Sequence, residues 1–178
     1  MAPTVAVASS FYDCRDNDMD GNTVSMAKYR GRVVVVVNVA SYWGYTQQYA
    51  ALKQLSEKYQ AVGLSVLAFP CNQFAAEEPG THAEILQFVA QHFGPDIVSK
   101  LDFYEKNQVN GPHQRHVYQY LKQGGADISW NFEKFLIDHE GNVLRRYPPK
   151  TSPLQFESDI TALLHQKQQQ QYHEQYHE

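Results

Sequence analysis

The stretch Val33-Val34-Val35-Val36-Val37-Asn38-Val39-Ala40 decides the fold. It is almost pure valine and shows no alternation of apolar and polar side chains. A strand with one wet face alternates, whereas a strand covered on both faces reads as a continuous apolar run. The run therefore predicts a central strand of an α/β sheet. Tyr45 to Tyr59 follows as a helix, with Tyr49, Leu52, Leu55 and Tyr59 at helical spacing and Thr46 as a candidate N-cap. Gly63 ends it, and Leu64 to Phe69 reads as a second buried strand. Strand, helix, strand is a βαβ unit, for which a right-handed crossover is expected.

Working outward, Phe11 to Cys14 and Thr23 to Ser25 read as short strands around the turn signal Asp20-Gly21. Met26 to Tyr29 reads as one helical turn. On the other side come a loop over Pro70 to Gly80 and helices over Thr81 to His92 and Gln114 to Gln123, the latter stopped by Gly124-Gly125. Phe132 to Asp138 and Asn142 to Tyr147 form a hairpin, and Pro153 to Leu164 is the last helix. The order describes an α/β protein with a central mixed sheet flanked by helices and an N-terminal β-hairpin, the thioredoxin-like arrangement. On topology alone a small flavodoxin-like domain fits as well. Residues 1–164 form one domain without repeats or linkers. Residues 165–178 hold six Gln and three His among fourteen residues and read as a polar, disordered tail. The paired His-Glu units at His173 and His177 offer at most weak metal binding, and a solvated tail is the simpler reading.

Composition narrows the class further. At 178 residues with 43% hydrophobic content, the chain can bury roughly 70% of its unfolded surface in one domain. Two cysteines exclude a disulfide-stapled miniprotein. Fifteen basic against nineteen acidic residues give no support for a nucleic-acid partner. No run reaches the ~18 to 20 apolar residues of a membrane span. Met1 to Ser10 lacks the basic start of a signal peptide, so a cytoplasmic protein is the default expectation.

Most common chemical motifs are absent. There is no GxGxxG, GxxxxGK[ST], CxxC, HExxH or GxSxG. His113 and His116 read as surface or helix N-terminal residues rather than ligands, and no metal site is assigned. What remains is a set of polar groups at the ends of the predicted buried strands, where ligands of open α/β sheets bind. These are Asn38 to Gly44, Cys71-Asn72-Gln73 and Trp130-Asn131. Gln73, Trp130 and Asn131 could each aim an N–H at one point and stabilise an anion there. The plainer alternative makes Trp130 a core aromatic and Gln73 a tie for its loop.

The chain resembles the glutathione peroxidases. The matching stretches are Asn38-Val39-Ala40-Ser41 with Gly44 and Thr46, then Leu67 to Phe74 (LAFPCNQF) and Glu78-Pro79-Gly80. Val109-Asn110-Gly111, Trp130-Asn131-Phe132 and Lys134-Phe135-Leu136 continue the match, which spans Phe11 to Leu164. The resemblance implies a thioredoxin-like fold and reduction of hydrogen peroxide and organic or lipid hydroperoxides by glutathione or another thiol, without a bound cofactor. It implies a catalytic cysteine or selenocysteine surrounded by a glutamine, a tryptophan and an asparagine, which fall on Gln73, Trp130 and Asn131. Only Gly124 to Ser129 separates the third helix from the WNF strand, a shortness similar to the monomeric phospholipid-hydroperoxide type, whose open face admits lipid substrates. Lys134, Arg145, Arg146 and Lys150, with Lys28, Arg30 and Arg32, are the basic residues expected near that face.

At the nucleophile the resemblance breaks, because the position holds Trp43. An indole has one N–H and no soft anion to attack a peroxide oxygen. The chain as written is therefore expected to be inactive. Cys71 and Cys14 occupy other positions, and Thr81 to Lys106 contains no resolving cysteine. Three accounts of Trp43 stay open: a UGA selenocysteine codon read as tryptophan, a natural pseudoenzyme kept for binding or structure, and a different chemistry. Packing of Trp43 against Trp130 or Tyr45 is a stabilising alternative that needs no chemistry.

Overall fold

The valine run forms the middle of a five-stranded sheet. The structure, a computed structural model, describes residues 8–42 and 44–177. Trp43, the first seven residues and Glu178 lie outside the described residues. The main sheet contains β3 (Val33–Val39), β4 (Leu64–Pro70), β5 (Asp102–Phe103), β6 (Lys134–Ile137) and β7 (Val143–Tyr147). Its order is β5-β4-β3-β6-β7. β3 runs parallel to β4, β4 parallel to β5, and β6 antiparallel to both β3 and β7. A separate two-stranded antiparallel sheet pairs β1 (Arg15–Asn17) with β2 (Thr23–Ser25). Two antiparallel strands on one side of the sheet exclude the all-parallel flavodoxin-like alternative and give the thioredoxin-like fold.

Every residue of β3 is buried. Val33, Val35, Val37 and Val39 face one apolar cluster, with Tyr49, Leu52 and Leu55 of α1 (Gln48–Tyr59) and Ile160 and Leu163 of α5 (Glu157–Tyr176). Val34 and Val36 face the other cluster, with Phe11, Met26, Phe69, Tyr118 and Phe135. The run lacks alternation because both of its faces are core. α2 (His82–Phe93) starts with a capping box between Thr81 and Glu84. α3 (Ile97–Lys100) and α4 (His116–Lys122) complete the helices among the described residues.

The structure corrects several sequence expectations. Phe11–Asp13 is a 3-10 turn rather than a strand: Ser10 Oγ caps Tyr12 N, and consecutive Phe11 and Tyr12 both point inward. The first long helix opens with a 3-10 turn over Gly44–Gln47, and Thr46 Oγ donates to Ala40 O at 3.2 Å. α4 begins at His116 rather than Gln114, and ends where Gln123 turns left-handed at φ 49°. α3 and β5 appear where no element was expected. The last helix does not stop at Leu164 but runs to Tyr176, so residues 165–176 are helical rather than a disordered tail. Glutamine is a good helix former, and an established helix extends at one hydrogen bond per added residue.

Candidate active site

β3 and β4 are parallel and β6 is antiparallel to them, so the carboxyl ends of the first two meet the amino end of the third. Residues 40–42, 71–78 and 130–132 therefore converge on one edge. Asn38, fully buried at the end of β3, binds this edge together. Its Nδ2 donates to Trp130 O at 2.9 Å, and its Oδ1 accepts from Glu133 N at 3.1 Å. Phe132 N donates to Asn38 O at 2.7 Å, which fixes Phe132 at the unusual φ of 65°. The strain is local and is held by three hydrogen bonds.

Gln73 is exposed but anchored. Its Oε1 accepts from Val109 N at 2.7 Å and from Asn110 N at 3.1 Å, and its Nε2 donates to Asn110 O at 3.0 Å. Asn131 is buried, and its Nδ2 donates to Glu77 Oε2 at 2.8 Å. Its Oδ1 has no partner among the described residues. Trp130 is 38% exposed, with its ring 5.9 Å from that of Phe74. It is a rim residue rather than a core aromatic. Each amide carries two N–H donors: Gln73 Nε2 also donates to Gln108 Oε1 at 3.5 Å, Asn131 retains one N–H beyond its bond to Glu77, and the Trp130 indole N–H has no partner among the described residues. The structure brings the three onto one rim. Trp43, which the resemblance sets at the nucleophile position, is outside the described residues.

Glu77 and Glu78 extend the site beyond the sequence expectation. Glu77 O accepts from Tyr42 N at 3.2 Å while the Glu77 carboxylate holds Asn131. The fully buried Glu78 accepts from the Ser41 hydroxyl, and Glu78 N donates to Asn72 Oδ1 at 2.9 Å. Burial pushes the Glu78 carboxyl up to about 7, against the opposing pull of the Ser41 hydrogen bonds and of Lys106. Lys106 Nζ completes the clamp by donating to the carbonyls of Glu78 and Gly80 at 3.1 and 2.6 Å. The available signal in the sequence was a carboxylate directly before a Pro-Gly turn that follows a buried strand.

The basic residues divide sharply. Lys134 is fully buried, not part of a basic surface. Its Nζ donates to Gln48 Oε1 at 2.7 Å, Pro149 O at 3.0 Å and Pro148 O at 3.3 Å, and burial lowers the ammonium to about 7. Arg146 pairs with Glu133 at 2.5 Å, whereas Arg145 is exposed. Arg32 binds Ser65 Oγ and the carbonyls of Gln60 and Leu64, at the opposite end of the sheet. Both cysteines are buried and free. Burial pushes the Cys14 thiol up to about 12 and raises that of Cys71 as well.

Comparisons with known proteins agree with this geometry. A thioredoxin-family thiol:disulfide interchange protein from Chlorobium tepidum TLS superposes with a TM-score of 0.59 at 15% identity over 89% of this chain and 99% of its own, which speaks to fold. The T. cruzi GPX1 crystal structure superposes with a TM-score of 0.70 at 32% identity, over 88% of this chain and 97% of that one. Phospholipid hydroperoxide glutathione peroxidase 1, chloroplastic, from Arabidopsis thaliana is 44% identical over 89% of this chain and 68% of its own length. Glutathione peroxidase from Lactococcus lactis is 42% identical over 87% of this chain and 99% of its own. The fold and rim define a thioredoxin-like protein of the thiol-peroxidase class. The glutathione peroxidase family profile matches residues 11–122, and the chain belongs to that family.

Proposed function

We propose that this chain carries the framework of a thiol-dependent hydroperoxide reductase and, as written, does not turn over. One observation carries the reading: Trp43 stands between Ser41 and Gly44 where the family's reacting sulfur or selenium belongs. The remaining thiols support it. Cys14 and Cys71 are 1% and 0% exposed, and burial holds both as protonated thiols. A protonated, enclosed thiol is a poor nucleophile toward peroxide. Restored chemistry would place an anion at position 43 and stabilise it and the leaving oxygen with the N–H groups of Trp130 and Asn131 and with that of Gln73, once it leaves its long 3.5 Å bond to Gln108 Oε1. Because Thr81 to Lys106 contains no cysteine, the oxidised nucleophile would be reduced by an external thiol such as glutathione. The short connection over residues 124–129 supports a monomer with a face open to lipid hydroperoxides.

The test is Trp43→Cys, and the selenocysteine equivalent, assayed with hydrogen peroxide and with a phospholipid hydroperoxide. The expected outcome is glutathione-dependent turnover at least a hundredfold above the unmodified chain. A folded Trp43→Cys protein with no activity would show that the rim is incompetent. Turnover by the unmodified chain that Cys71→Ser abolishes would overturn the inactive reading.

A further inference from the structure

We propose that the last turn of α5 and the residue that caps it form a chelate for a divalent transition-metal ion, with His173 and His177 as its protein ligands and water completing the coordination. The inference starts from the extension of α5 to Tyr176. A helix places residues four apart on one face, one turn above another. The sequence repeats Tyr-His-Glu at that interval, as Tyr172-His173-Glu174 and Tyr176-His177-Glu178, so His173 in the last turn is followed four residues on by His177, the C-cap of α5. The backbone continues through the pair, since His177 N donates to His173 O at 3.0 Å.

The imidazole centroids are 5.1 Å apart. A metal bonded at ~2.0 to 2.1 Å to an imidazole nitrogen lies roughly 3.2 Å from the ring centre, so two rings sharing one ion at about 90° to 110° have centres about 4.5 to 5.2 Å apart. The observed spacing falls within that range. Availability separates this pair from three of the other histidines, and the four-residue spacing separates it from the rest. The ring nitrogens of His82, His92 and His139 are engaged with Met19 O and Lys106 N, with Phe88 O, and with Gln170 Oε1. Those of His173 and His177 have no hydrogen-bond partner among the described residues, and both side chains are exposed. A metal therefore reaches them without displacing a structural bond.

Glu174 Oε1 accepts from Gln170 Nε2 at 3.2 Å, so the carboxylate is directed toward the preceding turn. Among the described residues no group of three or more His, Cys, Asp or Glu converges on a metal position. The chelate thus has two protein ligands and modest affinity, with Cu2+ held most tightly of the first-row divalent ions. Gln170 bonds His139 in the turn between β6 and β7, and His139 O accepts from Gly31 N just before β3. That turn sits at the sheet end opposite Gln73 and Trp130, so the chelate is independent of the peroxidase rim.

The experiment is titration of the full chain with CuCl2, NiCl2 and ZnCl2 by equilibrium dialysis, with helix content followed at 222 nm. One ion per chain is expected. His173→Asn and His177→Asn should each weaken binding at least tenfold, and His165→Asn should leave it unchanged. Metal should increase the helical signal of the unmodified chain but not that of the His173→Asn/His177→Asn double variant. Absence of saturable binding, binding by the double variant equal to the unmodified chain, or an equal loss with His165→Asn would each overturn the proposal.

Discussion

Glu78 and Lys134 are buried ionisable side chains whose titrations burial moves toward each other, both to about 7. The consequences for stability have opposite signs. Glu78 is raised from 4.5, so between about pH 4.5 and 7 the folded chain holds more protons than the unfolded one. Its contribution is present below that window and is lost as pH rises through it. Lys134 is lowered from 10.5, so between about pH 7 and 10.5 the unfolded chain holds more protons and stability rises with pH. Urea unfolding across pH 5 to 10 should show the acid limb disappear in Glu78→Gln and the alkaline limb disappear in Lys134→Met. The difference between unmodified chain and variant should be about 3 kcal/mol for Glu78 and about 5 kcal/mol for Lys134 across their full windows. Parallel pH curves for unmodified chain and variant would contradict the assignment. The burial of neither residue was legible from sequence, because Glu and Lys are mostly exposed, and the carboxylate before the Pro-Gly turn marks the position of Glu78 but not its burial. Gln73, Trp130 and Asn131 stood out in the sequence as groups flanking predicted buried strands, and their segments do lie at one edge of the sheet.

At the scale of elements, the Asp16–Arg115 pair joins β1 to the segment that starts α4. Arg115 Nε and Nη2 donate to the Asp16 carboxylate at 2.8 and 2.7 Å, and Nη1 donates to Glu105 O at 2.8 Å. The guanidinium lies 4.6 Å from the centre of the Phe69 ring on β4. Both side chains are buried, so Asp16→Asn should leave an uncompensated charge and cost about 3 to 5 kcal/mol in urea unfolding. Arg115→Lys should also destabilise the fold, because an ammonium cannot reproduce the fork. In contrast, Thr81→Ala, which removes one N-cap of α2, should cost only about 1 kcal/mol. The elements read correctly from sequence were those with a pattern, as in β3, β4, α1 and α2, or with a turn signal beside them, as in β2 after Asp20-Gly21 and the β6–β7 hairpin around Gly141. α3, with four residues, and β5, with two, are too short for any period to emerge. The C-terminal half of α5 escaped for another reason. It has no apolar stripe to mark it, and its helicity continues from a neighbouring packed segment.

On the scale of the molecule, the two apolar clusters on either side of the sheet contain no described side chain beyond Leu164 of α5. The extension touches the body through polar contacts such as Gln170 with His139 and Glu140. Removing residues 169–178 should therefore lower unfolding free energy by less than about 1 kcal/mol, in line with surface polar contacts. The same truncation should reduce the 222 nm signal by the share of roughly two helical turns. A large loss of stability would mean that the extension contributes to the core. Fold class was legible because a buried central strand constrains what can cover it. The extent of the domain was not, because polar composition alone does not separate a disordered tail from a solvated helix.

The hydrogen bonds at the rim also bear on how such a protein changes over generations. Gln73 closes the loop at Val109 and Asn110, and Asn131 holds Glu77. Asn38 ties Trp130 and Glu133 to the central strand. Substituting any of these breaks contacts that position backbone, whether or not a reaction takes place between them. Selection for folding alone would retain the signature after selection for turnover had ceased. In a chain of this design, the motif around position 43 is therefore a record of folding constraints as well as of any reaction.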